Sequence, residues 1–99
     1  MPDSGVMPQS EDLAQQSQRV LLEFLETELA LGATFIELAL TERNLGNSEH
    51  FERSKRDAEI ASQTARRLAN KLVRGESRAS VEERCTELDE KISLLQWRS

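Results

Sequence analysis

Few residues in this 99-residue chain carry side chains suited to catalysis or metal binding. His50 is the only histidine, and histidine is the residue whose charge changes near neutral pH, so it is the first candidate for proton transfer. Nothing pairs with it by sequence pattern. At the start of a helix it reads as a lone surface side chain. Cys85 is the only cysteine. A nucleophilic thiolate needs a basic or dipolar setting, whereas Cys85 falls on an apolar stripe and reads as a small core residue. Glu23 and Glu26 have the three-residue spacing of a di-iron helix, but no His follows any Glu at that spacing. The sequence also has no Cys-x-x-Cys pair, no acidic calcium loop with its glycine and no Gly-rich phosphate loop. The expectation is a non-enzymatic chain without metal or cofactor.

Charge is the next place to look for chemistry. The chain holds 13 Lys and Arg against 18 Asp and Glu, a net charge of −5. That balance argues against non-specific binding to nucleic acid or anionic lipid by the chain as a whole. The distribution is uneven: residues 1–48 carry −6, 49–74 carry +3 and 75–99 carry −2. Arg66, Arg67, Lys71, Arg74 and Arg78 form the one basic group that could meet phosphates. No aromatic side chain lies among them to stack on bases. The competing reading is a basic middle helix lying against acidic neighbours.

Composition narrows the class. A single cysteine cannot form an intramolecular disulfide. The first ten residues hold no Lys or Arg and no apolar run, so no signal peptide is expected there. The longest nearly apolar stretch runs from Leu29 to Ile36, far short of the roughly 20 residues of a membrane span. A soluble cytoplasmic protein is expected.

Three helices must position these residues. Residues 1–10 contain both prolines and read as a flexible tail, and residues 11–99 read as one all-helical domain. Ser10, Glu11 and Asp12 suit a helix start. Leu22, Leu25, Leu29, Ala33, Ile36 and Leu40 then recur at helical spacing, and Leu21, Phe24, Leu31, Phe35 and Leu38 form an adjoining stripe. Gly32 interrupts both. The helix either runs through it, straight or kinked, or breaks there to make four helices. Gly46 suits a left-handed helix end, and Asn47 or Ser48 suits the next cap. The second helix should reach about Arg74 with Phe51, Ala58, Ala61, Ala65, Leu68 and Leu72 inward. Ser80 and Glu83 form a capping-box pattern for the third, whose stripe is Val81, Cys85, Leu88, Ile92 and Leu95. The fold expected is all-α, three antiparallel helices.

The stretch Phe35 to Ala58 resembles one tetratricopeptide unit, a helix–turn–helix of about 34 residues. Gly46 falls on the family's turn glycine, Phe35 on its early aromatic, Leu38-Ala39 on its Leu-Gly/Ala pair and Ala58 on its late small residue. Glu42 and Ser48 stand where aromatics are common, and no proline closes the unit near Gln63. The resemblance implies a protein-interaction module and carries over no catalytic residue.

Two functions from different classes follow. The first is a small helical interaction or scaffold module that pairs with itself, as a homodimer, or with a partner helix. Phe24, Leu31, Phe35, Leu94 and Trp97 are the expected interface, because two other helices cannot cover every apolar stripe. The second is a nucleic-acid-linked regulator using the basic end of helix two.

Overall fold

A computed structural model describes residues 6–97, with side chains from residue 13 onward. It contains three helices, α1 Val6–Leu45, α2 Ser48–Ala69 and α3 Glu76–Ser93, and no strand among the described residues. All three pack on one another, with the α1–α2 hairpin sharing the most extensive contact. The molecule measures 72 × 20 × 14 Å, with a radius of gyration of 18.4 Å. A compact chain of this length would have a radius near 13 Å. The excess comes from α1, whose 40 residues span roughly 60 Å at 1.5 Å each, far beyond the reach of α2 and α3.

Gly32 neither breaks nor caps α1, so the four-helix alternative falls away. Its role is packing. A Cβ there would lie 2.9 Å from Leu88 Cδ1 on α3 and 3.6 Å from Ala61 Cβ on α2. What approaches Gly32 is therefore side chains rather than another backbone. The buried line of α1 is Leu25, Leu29, Gly32, Ile36 and Ala39, stepping four, three, four and three. Ala33 and Leu40, expected on this line, lie exposed one position further round.

The α1–α2 turn is the most completely bonded local structure. Gly46 sits at φ +79°, its N–H bonding Arg43 O at 3.1 Å, while Asn47 N–H reaches Glu42 O at 2.9 Å. These two bonds are the Schellman pair that satisfies the last carbonyls of a helix. Asn47 then caps α2, its Oδ1 accepting from His50 N–H at 3.1 Å. One residue ends one helix and begins the next.

Three boundaries differ from the sequence expectation. The helix α1 starts at Val6, so residues 6–10, expected without regular structure, are helical; Pro8 is tolerated because the first turn has no intrahelical use for its missing N–H. Residues 1–5 lie outside the described residues. Helix α2 stops at Ala69, five residues early, where tight bonds from Lys71 N–H to Leu68 O and from Leu72 N–H to Ala69 O turn the chain. This turn carries Leu72 into the core. Gln18 on α1 holds the turned segment, accepting from Val73 N–H at 2.8 Å and donating to Lys71 O at 3.1 Å.

Helix α3 starts at Glu76 after Gly75, so Ser80 is interior and the expected capping box does not form. Arg78 explains the earlier start. Its guanidinium donates to Asn70 Oδ1, Leu72 O and Glu82 Oε2, tying the first turn of α3 back to the end of α2.

Candidate functional site

The histidine and the cysteine considered for catalysis both sit in structural settings. His50 Nδ1 lies 3.1 Å from Asn47 Nδ2 and 3.5 Å from Glu42 Oε2, so the ring belongs to the α1–α2 turn. Cys85 is fully buried, and desolvation pushes its thiol above the ordinary 9.0 despite the opposing charge of Arg66. A protonated, enclosed thiol is a poor nucleophile. Beside it, Ser62 Oγ donates to Asp89 Oδ1 while Arg66 Nη2 bonds Asp89 Oδ2 at 2.7 Å. This trio satisfies Ser62, the one buried polar side chain among the described residues, and pins α2 to α3. Among the described residues no three His, Cys, Asp or Glu side chains come together.

The basic group is thinned by internal pairing. Arg66 is held by Asp89, and Arg78 is spent on Glu82, Asn70 and Leu72. Arg67, Lys71 and Arg74 are exposed. An ion pair between Arg84 on α3 and Glu26 on α1, at 4.0 Å, joins the two acidic elements.

The five residues expected at an interface separate into three places. Phe24 and Leu31 stand exposed on the outer face of α1, and Phe35 lies at its edge, half-buried against the core. Leu94 borders an open cleft of about 420 Å³ between α1 and α3, with Leu40, Arg43 and Lys91. Trp97 is half-buried instead: its ring packs on the enclosed Phe51 at 5.4 Å and 56°.

The outer face of α1 is the most distinctive feature. Leu13, Val20, Phe24, Leu31, Leu38 and Leu45 are all exposed, by 42–74%. Ser17, Thr27, Thr34 and Thr41 occupy the intervening positions, so the whole line from 13 to 45 steps three and four without a break. Such a line is a heptad seam, with Phe24, Leu31, Leu38 and Leu45 at the positions called a. It lies about 150° around the helix from the buried line, at 100° per residue. The two stripes read as adjoining in the sequence are thus nearly opposite. Thr27 and Thr34 donate their hydroxyls to Glu23 O and Ala30 O, so the seam contains hydroxyls already satisfied within the helix. The signal was present in the sequence as a seven-residue recurrence from Phe24 to Leu45. It was hidden because Thr occupies every alternate position there, and Thr does not register as apolar.

No family model, curated protein or solved structure matches this chain.

Proposed function

We propose that this protein is a non-catalytic helical interaction module that docks through the outer seam of α1, first of all with a second copy of itself. The observation that carries the reading is the exposed heptad seam, in which six large apolar side chains are interspersed with one serine and three threonines, about 48 Å long at 1.5 Å per residue. Exposed apolar patches on monomers are usually limited to a few hundred Å², and longer ones mark interaction sites. The tetratricopeptide resemblance of residues 35–58 points the same way. Helices of 40 and 22 residues exceed a 34-residue unit, so that likeness is confined to the hairpin around Gly46.

Sedimentation equilibrium tests the reading. Wild-type protein is expected at twice the chain mass of 11.2 kDa, and the Leu31→Glu/Leu38→Glu variant at the single mass with unchanged helicity. Wild-type protein that stays at 11.2 kDa up to millimolar concentration would refute self-association.

A further inference from the structure

We infer that the second copy docks antiparallel along α1, in one register, with the two-fold axis passing between Gly32 and Ala33. The inference rests on the outer-seam reading above and follows from which residues each alignment would set face to face.

Residues at the a and d positions of a two-stranded coiled coil form layers, and the neighbouring e and g positions flank them. On α1 the seam layers are known from exposure, and the flanks include Glu23, Glu28, Glu37 and Glu42 but no Lys or Arg. A parallel pair places every residue opposite itself. Ser17, Thr27, Thr34 and Thr41 would then each form a layer without an apolar partner. Glu23 would flank Glu28 of the second copy, and Glu37 would flank its Glu42. Each like-charge contact would occur twice by symmetry.

An antiparallel pair that overlaps the whole seam, Leu13 opposite Leu45, removes most polar layers. It still sets Ser17 against Thr41, Glu23 against Glu37 and Glu28 against its own copy. Sliding that pair by one heptad changes the outcome. Val20 then faces Leu45 of the second copy, Phe24 faces Thr41, Thr27 faces Leu38 and Leu31 faces Thr34. Every layer formed between residues 20 and 45 now joins a large apolar side chain to a threonine or to another apolar residue, and Leu13 and Ser17 extend past Leu45 of the second copy. The flanks also separate: Glu23 lies by Asn44, Glu28 by Phe35, Glu37 by Ala30 and Glu42 by Leu21. No like charges meet.

Two features of the protomer fit this alignment. A shallow, mainly apolar hollow lined by Leu13, Gln16, Ser17, Val20, Leu21 and Phe24 is positioned to receive Leu45, the most exposed apolar residue of the seam. The hydroxyls of Thr27 and Thr34, at the two central layers, already bond within their own helix, so covering these two leaves neither donor without a partner. The buried line of α1 shares the three-four spacing, so one left-handed supercoil serves both faces of the helix.

Disulfide trapping decides the register. The single variants Thr27→Cys and Leu38→Cys are mixed in equal amounts and mildly oxidised, with wild-type protein as control because its only thiol, Cys85, is buried. The mixed 27–38 disulfide is expected as the dominant product. Each variant alone should stay reduced, because its own copies would be separated by 11 residues, roughly 16 Å along the axis. Cross-linking of Leu38→Cys with itself would establish a parallel pair and overturn the inference. Preferred cross-linking of Leu38→Cys to Val20→Cys would establish the fully overlapped register and overturn it too. A dimer by sedimentation with no 27–38 product overturns the register while the seam reading stands, whereas a monomer overturns both. A second readout is salt: the dimer mass should hold at low ionic strength, where the like-charge alignments would dissociate.

Discussion

The two sides of α1 follow the same three-four spacing, yet one is sealed and the other is open. The inner line carries Leu25, Leu29, Gly32, Ile36 and Ala39, and the outer carries Leu13, Val20, Phe24, Leu31, Leu38 and Leu45. Leu29 is 3% exposed and Leu31, two residues on, is 42% exposed. Both lines hold large apolar side chains, but the inner one has no polar member, whereas Ser17, Thr27, Thr34 and Thr41 are interspersed along the outer one. Gly32 on the inner line lets Leu88 and Ala61 come close. The outer line has leucines spaced by threonines, a surface shaped for another helix rather than for the chain's own. Burial thus follows from what can approach, and the protomer completes one side only.

The largest effect that tests this contrast is leucine truncation. Leu29→Ala should cost about 2–5 kcal/mol in denaturant unfolding, because it opens a cavity in a closed core. Leu31→Ala, measured at protein concentrations low enough to hold the protomer monomeric, should stay within about 0.5 kcal/mol of wild type. Equal losses at the two positions would mean that the outer seam is covered within a single chain.

Overfilling should be felt next. Ala65 is fully enclosed on α2, and Ala65→Leu should cost about 1–3 kcal/mol in the same assay. A melting temperature at or above wild type would show that α2 does not pack as closely as its small residues allow.

Caps hold the hairpin over the inner line, and they should rank third. Asn47→Ala removes the oxygen that accepts from His50 N–H and should cost about 0.5–2 kcal/mol. Ser80→Ala lies within α3 on its exposed side and should fall within about 0.5 kcal/mol of wild type. A loss at Ser80 as large as that at Asn47 would move the start of α3.

Periodicity made much of this legible. The stripe Val81, Cys85, Leu88, Ile92 and Leu95 is readable because it keeps one three-four line and contains no polar member, and all five are buried. The turn at Gly46 was readable because its chemistry is local. The start of α3 was not, because Arg78 fixes it through contacts to Asn70 and Leu72 that no short pattern encodes. Gln18 was missed for the same reason: its partners lie more than 50 residues away. The outer seam was half-seen. Phe24 and Leu31 were picked out, but the threonines that complete the line were passed over as polar.

The smallest effect is the sharpest test, because two rules compete in it. Intrinsic propensity favours alanine over threonine by up to about 0.7 kcal/mol, and over glycine by about 1 kcal/mol, in a helix interior. On the outer seam nothing opposes that preference in the isolated protomer. Thr27→Ala should therefore raise protomer stability by a few tenths of a kcal/mol, the lost Thr27–Glu23 bond being solvent-accessible. On the inner line, Gly32→Ala has the larger intrinsic gain but puts a methyl 2.9 Å from Leu88 Cδ1. Leu88 must shift within a nearly closed core, and an off-rotamer side chain costs about 0.5–1.5 kcal/mol. The two terms cancel to within about 0.5 kcal/mol, so the glycine position should gain less than propensity alone predicts. Full recovery of the 1 kcal/mol at Gly32 would show that α3 yields freely there, and that the inner line is no more tightly covered than the outer.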